Sequence, residues 1–218
     1  MISPNMGTML AYMFIDCDLS SKVLKRLLSD NIDDTFNSIS VDGDTSTSDT
    51  VMLFSNPIKK INVQKNFVKI SNIVYKLMKE LSIKIVTDGE GVQKLIKVSV
   101  INAKNKNQSK KIAFSIVNSP LVKTAIAGED ANWGRIIAAI GKTQEKIKQE
   151  KTSIKFGNNI LAMNGKIYSN INISKVDKYM KNQVIDIEVN LRLGKASSTV
   201  YGNDLNQEYI RINADYRS

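Results

Sequence analysis

Apolar and polar positions along the chain mark out an alternation of short strands and helices. Residues 9–14 form a short apolar run containing an aromatic, the pattern of a buried strand, and Asp16, Cys17 and Asp18 break it. Ser20 stands where a helix cap would, ahead of Val23, Leu24, Leu27 and Leu28, whose spacing puts one apolar stripe on a helix running to about Asp30. The segment continues to Phe36 either as the same helix after a kink or as a second short one. Residues 51–54 are again apolar and strand-like, and 59–66 read as a basic linker. Phe67, Ile70, Val74, Leu77, Met78 and Leu81 then recur at helical spacing and predict a helix over 67–86.

In the second half, residues 95–100 alternate as a strand with a basic outer face, and 102–111 read as a polar loop. Residues 112–117 fit strand or helix. Ser119 is placed to cap a helix with Pro120 at its first position, turning Leu121, Ala125 and Ile126 inward and stopping at Gly128. Glu129 and Asp130 give an acidic entry to a helix over 133–140. Trp133 is read as a packing residue, and Arg135 as a partner of Glu129 or Asp130 in preference to a carboxylate ligand. Residues 142–151 are charged and turn-like. Residues 153–156, 160–163 and 165–168 read as short strands joined by Gly and Asn turns. A small helix follows over 176–180, then a strongly alternating strand over 184–193, a loop over 194–199 and a further alternating segment over 205–212.

Composition narrows the class. The 218 residues are 42% hydrophobic and 24% charged, enough to bury a core as one large domain or two small ones. There is no histidine, which removes histidine triads, histidine metal sites and the commonest general base. The lone Cys17 cannot form an internal disulfide, and a reducing, cytoplasmic setting is expected. No signal-peptide pattern opens the sequence, and apolar runs such as 136–140 fall far short of a membrane span. The net charge of +10 suits an anionic metabolite or an acidic partner, though a merely solvated lysine-rich surface is the plainer reading. Nucleic acid is disfavoured, because Lys outnumbers Arg and the aromatics are not interleaved with the basic residues.

Three stretches carry candidate chemistry. Thr8 follows Gly7 directly before the first apolar run. Cut between the two, the chain would begin with a residue bearing both a hydroxyl and an α-amine whose ordinary pKa is near 8, a self-contained nucleophile and base; uncut, the pair is a turn entering a strand. Residues 42–50 combine three carboxylates and five hydroxyls around one glycine. That run suits a self-bonded polar loop, an active-site wall or a metal loop, though the spacing does not match a calcium loop. Glu90 lies between Gly89 and Gly91, where glycine torsions can present an acid at the end of a rigid helix.

Six blocks occurring in one order tie these stretches together: Gly7-Thr8-Met9-Leu10-Ala11, the loop from Ser40 to Thr47, Asp88-Gly89-Glu90-Gly91, Asn118-Ser119-Pro120-Leu121-Val122-Lys123-Thr124-Ala125, Asn132-Trp133-Gly134-Arg135-Ile136 and the terminal run from Arg211 to Ser218. Together they resemble the bifunctional ornithine acetyltransferase family of arginine biosynthesis, also called glutamate N-acetyltransferase, nearly from end to end. The resemblance implies an α/β (α+β) fold of stacked β-sheets flanked by helices, in the superfamily of self-cleaving enzymes with an N-terminal threonine. Residues 1–7 would be the tail of an α chain and 8–218 a β chain, subdivided near residue 140 into a nucleophile-bearing region and a smaller mixed one.

The resemblance also implies the chemistry. Thr8 would be the nucleophile, and Thr8, Glu90, Asn213 and Ser218 match family positions that contact substrate. The family usually has alanine where Gly7 stands and more often threonine where Ser218 stands. An acetyl group would pass from N2-acetylornithine to Thr8 and then to glutamate, with acetyl-CoA as a further donor in some members. No cofactor or metal is implied. The expected partner is the α chain of the same precursor, in a heterotetramer of two α and two β chains, and the α chain holds the oxyanion donors and a substrate-contacting lysine. Two alternatives remain: an inactive truncated remnant, and an amidohydrolase of the same superfamily.

Overall fold

The computed structural model describes residues 9–44 and 48–215. Contacts divide the chain into two compact units meeting between Ile85 and Val86. The division expected near residue 140 would cut one continuous sheet, since strands on either side of that point pair directly, Leu95 with Val184 through Ile101 with Asn190.

In the first unit, strand β1 (Leu10–Ile15) pairs in parallel with β2 (Thr50–Ser55), and helix α1 (Ser21–Ile32) lies between them in sequence. A parallel pair needs such a crossover. Ala11, Met13 and Leu53 point into a core with Leu19, Leu27, Phe36, Ile70, Val74 and Met78. The last three come from α2 (Val63–Thr87), so the periodicity of 67–86 is the core-facing stripe of a real helix. Its start lies inside the expected linker, because the Asn62 side chain accepts from the Lys65 N–H at 3.1 Å and caps the first turn. Residues 36–38 form a short 3₁₀ turn after α1.

The second unit is built on a six-stranded sheet. Its strands are β3 (Leu95–Ala103), β4 (Ser153–Phe156), β5 (Asn159–Met163), β6 (Lys166–Ile167), β7 (Val184–Asn190) and β8 (Ala196–Asn203), in the spatial order β6-β5-β4-β7-β3-β8. Helices α3 (Lys106–Val117), α4 (Pro120–Ala127), α5 (Trp133–Gly141), α6 (Ile173–Met180) and α7 (Gln207–Asp215) complete it. Ile96, Val98, Val100, Ile185, Ile187 and Val189 form one face of the central strands and share a core with Ile112, Ile116, Ile136 and Ile140 of α3 and α5. Ion pairs cross-link the opposite face: Lys97 of β3 pairs with Asp186 of β7 at 2.8 Å, and Lys155 of β4 with Glu188 of β7 at 3.1 Å. The bond to Asp186 raises the Lys97 ammonium above its ordinary pKa, against the opposing effect of burial.

Several elements depart from expectation. Residues 194–199 are not a loop throughout, since β8 begins at Ala196. Residues 102–111 contain the start of α3, and 205–212 lie largely in the helix α7. Leu121 is 58% exposed instead of inward. Neither Ser20 nor Ser119 makes a side-chain cap bond, whereas Asn105, Asn132 and Asn172 cap α3, α5 and α6. Among the described residues no helix is long and apolar enough to cross a membrane.

Ile187 is 1% exposed at the centre of the larger core. Ile187→Ala is expected to lower the unfolding free energy by about 2–5 kcal/mol, seen as a lower urea midpoint at unchanged slope. A loss below roughly 0.5 kcal/mol, typical of surface positions, would contradict the packing described.

Candidate active site

The acidic turn after α2 is shaped by its glycines. The Val92 N–H bonds back to the Gly89 carbonyl at 3.2 Å, and Gly91 adopts φ +68°. A Cβ on Gly91 would stand 2.6 Å from the backbone nitrogen of Tyr209, and one on Gly89 would stand 3.0 Å from the side-chain nitrogen of Asn203. The turn is therefore seated directly against the end of β8 and the first turn of α7. Bare backbone is what lets it approach so closely.

This seating brings Glu90 to Asn213. The Asn213 Nδ2 donates to Glu90 Oε2 at 2.7 Å and also to the Tyr209 carbonyl one turn earlier at 3.0 Å. Both residues are exposed, so a carboxylate and an amide are presented together to solvent. Beneath the turn, Asn203 is 1% exposed and accepts from the Nζ of Lys123, itself 4% exposed, at 2.8 Å. On α7, Arg211 bonds to Glu208 at 2.6 and 2.9 Å, which holds the Glu208 carboxyl below its ordinary pKa.

Thr8 and Ser218 lie outside the described residues, so of the four expected substrate contacts the structure brings together Glu90 and Asn213. The residue after Thr8 is described. Met9 donates its N–H to the Asp49 carboxylate at 2.6 Å and accepts from the Thr50 N–H at 2.7 Å. Asp49 thus fastens the entry to β1. The signal available for it in the sequence was its place at the end of the hydroxyl-rich run directly before β2. In the same loop Asp42 accepts from the Asp44 N–H at 3.0 Å, a self-bonded turn, while 45–47 lie outside the described residues. Among the described residues no cluster of three or more acidic or cysteine side chains is assembled that could hold a metal ion.

Two other expectations are corrected. Arg135 pairs with neither neighbouring acid; its guanidinium donates to the Leu121 carbonyl at 2.7 Å. Glu129 instead meets Lys94, whose buried ammonium also reaches the carbonyls of Met180 at 2.8 Å and Asn182 at 3.2 Å. Three acceptors match the three donors of an ammonium, which makes Lys94 a structural latch.

The helix-flanked sheets define an α+β class of fold, and comparison with known proteins gives the family. The ArgJ family model matches residues 1–218, and the chain belongs to the ArgJ family. It is 44% identical to the arginine biosynthesis bifunctional protein ArgJ of Bartonella henselae over 223 residues, covering 100% of this chain and 54% of that protein. It is 42% identical to the protein of the same name from Agrobacterium fabrum over 229 residues, covering 100% of this chain and 55% of that protein. The chain therefore spans about half the length of the curated relatives it matches. The crystal structure of the Bacillus halodurans arginine biosynthesis bifunctional protein argJ superposes with a TM-score of 0.91 at 34% identity, over 96% of this chain and 100% of that chain. The α+β fold expected from the sequence is thereby established.

Two glycines give opposite expectations. Gly91→Ala forces an L-residue into the left-handed region, at roughly 1–2 kcal/mol, and drives a methyl into the Tyr209 backbone; it is expected to lower the melting temperature. Gly141, in α5, has nothing within 4 Å of an added Cβ, so Gly141→Ala is expected to be neutral or stabilising. Paired thermal melts check both signs.

Proposed function

We propose that this chain is the β portion of a two-chain acetyltransferase of arginine biosynthesis, moving an acetyl group from N2-acetylornithine to glutamate through an acetyl ester on Thr8. The observation that carries this reading is the bond between Glu90 and Asn213. The two residues stand 123 positions apart in sequence, each resembles a substrate-contacting position of the family, and they meet at 2.7 Å. With Asn213 Nδ2 engaged by Glu90 and the Tyr209 carbonyl, the Glu90 carboxylate is the group of the pair suited to the ammonium of a charged amino-acid substrate, and Asn213 holds it in place.

In the proposed reaction the Thr8 Oγ attacks the acetyl carbonyl while the α-amine of the same residue takes the hydroxyl proton. The tetrahedral oxyanion rests on donors from the upstream portion. Collapse breaks the amide bond and returns the proton to the leaving amine, releasing ornithine. The glutamate amine then attacks the acetyl ester and Oγ recovers its proton, so that amide bond is exchanged for amide bond and no cofactor is consumed. Cytoplasmic location, use of acetyl-CoA as a second donor, a role for Ser218 beside Asn213 and a heterotetramer of two α and two β chains belong to the same reading. Removing one oxyanion donor costs roughly 3 kcal/mol, so the chain on its own is expected to be nearly inactive.

A missing partner is also supported by the first unit. Leu10, Tyr12 and Phe14 of β1 and Met52 and Phe54 of β2 are 61%, 51%, 71%, 42% and 41% exposed. Phe14 stacks on Phe54 with ring centroids 5.0 Å apart, and Tyr12 lies 6.4 Å from Phe54. A contiguous apolar face of this kind marks an interaction site. Its proposed occupant is the upstream portion that accounts for the remaining length of the curated relatives. Whole-length matching of the Bacillus halodurans chain, against half-length matching of the curated proteins, supports a protein made as two chains.

With the upstream portion supplied, Thr8→Ala is expected to leave the precursor uncut by mass spectrometry and to abolish acetyl transfer; transfer persisting in that variant refutes the nucleophile. In the unsubstituted enzyme, formation of acetylglutamate separates a transferase from a hydrolase, which would release acetate whether or not glutamate is present. Phe14→Lys, which leaves the buried face of β1 untouched, is expected to reduce co-purification of the two portions at least tenfold. Unchanged co-purification would place the partner elsewhere.

A further inference from the structure

Helix α7 carries Asn213, yet none of its residues is buried, and Ile210, its large aliphatic side chain at mid-helix, is 59% exposed. Most protein helices are held by packing of an apolar face. With no side chain of α7 buried, polar contacts at its N-terminus carry much of the task of fixing it.

Those contacts converge on one side chain. Asn206 stands just before the helix, and its Oδ1 accepts from the N–H groups of Glu208 at 3.0 Å and Tyr209 at 3.2 Å. Its Nδ2 donates in the opposite direction, to the carbonyl of Gly91 at 2.6 Å and to Asp204 Oδ2 at 3.0 Å. Asp204 is 3% exposed, and its other oxygen accepts from the N–H groups of Gln93 at 3.0 Å and Lys94 at 2.9 Å. The Asp204 N–H closes the loop on the Lys94 carbonyl at 3.1 Å. One amide thus grips the residue after Glu90 with its nitrogen and the helix bearing Asn213 with its oxygen.

We infer that Asn206, oriented by Asp204, is a positioning residue that sets the register between Glu90 and Asn213. The inference rests on the proposed role of that pair as substrate contacts. Asn213 lies seven residues along a rigid rod, so a small tilt at Asn206 is carried over about 10 Å of helix. Substrate contacts must be held within about 0.5 Å to work. An ordinary N-cap would be replaced well by serine or aspartate. The bridge would not be, because a serine is too short to span both directions and an aspartate has no amide to donate to Gly91.

The test uses the complete enzyme, this chain with its upstream portion, carrying Asn206→Ala, Asn206→Ser or Asn206→Asp. Melting temperature and steady-state kinetics with N2-acetylornithine and glutamate are measured for each. The Ser variant is expected to recover much of the melting temperature lost by Ala, and the Asp variant less, because its carboxylate would face that of Asp204, while kcat/KM of both stays depressed by about tenfold to a hundredfold, mainly through KM. Recovery of kcat/KM to within twofold in either capped variant overturns the inference and leaves Asn206 a plain cap. If the Ala variant does not fold, the two capped variants still decide. Glu90→Gln and Asn213→Ala are run alongside. Unchanged KM in both would overturn the substrate role of the pair, and so the reading beneath the inference, independently of Asn206.

Discussion

Hydrogen-bonding groups taken out of water must find partners, and in the second unit that constraint converges on Asp204. The backbone between the acidic turn and β3 would leave the N–H groups of Gln93 and Lys94 without strand partners of their own at this corner. The Asp204 carboxylate supplies both bonds, and its remaining oxygen orients Asn206. Strand β3, the acidic turn and α7 are therefore not three independent placements. They share one buried carboxylate, and the exposed pair of Glu90 and Asn213 is the visible end of that arrangement.

Buried cations are handled in the same way. Lys94 sits at 7% exposure and Lys123 at 4%, in a chain of net charge +10. Desolvating an ammonium is costly unless its donors are used. Lys94 uses its donors on Glu129, on the carbonyl of Met180 at the end of α6 and on that of Asn182 in the following turn, and Lys123 bonds to the buried Asn203. Each lysine ties together segments distant in sequence, and Lys123 lies under the turn that presents Glu90. The basic composition is thus only partly a surface property, since these two charges act as internal fasteners.

What the sequence made legible follows from what its residues bury. Strands β3 and β7 alternate because one face meets the helices, and α2 shows its stripe because Ile70, Val74 and Met78 fill a core. The start of α3 did not read as a helix, since the residues it buries there are Gln108 and Ser109. Strand β8 is obscured in the same way, since Val200 is its one fully buried large apolar side chain beside the polar Ser198 and Asn203, and α7 buries nothing, so hydrophobic period carries no information about it. Ser20 and Ser119 read as helix starts, while asparagines at 62, 105, 132 and 172 form the caps. In the candidate site, Glu90 is legible from its flanking glycines and Asn213 only by resemblance. Asp49, Asp204 and Asn206 were not, because their roles are bonds to backbone groups far away in sequence or in neighbouring turns.

The two units differ in how far they satisfy themselves. The six strands of the second close a core against their own helices, and ion pairs such as Lys97 with Asp186 and Lys155 with Glu188 cross-link the opposite face. The first has two parallel strands, with one face buried and the other aromatic and exposed. Two-stranded sheets are marginal without further support, and a parallel pair ordinarily lies inside a larger sheet covered on both faces. Helices α1 and α2 support the buried face of β1 and β2, and on the proposed reading the upstream portion covers the exposed one. Thr8 stands two residues before β1. On the proposed reading, the portion that covers this face also supplies the oxyanion donors, so completing the fold and completing the catalytic centre become a single event. That coupling gives a physical reason why a β portion without its partner should be silent instead of weakly and wastefully hydrolytic.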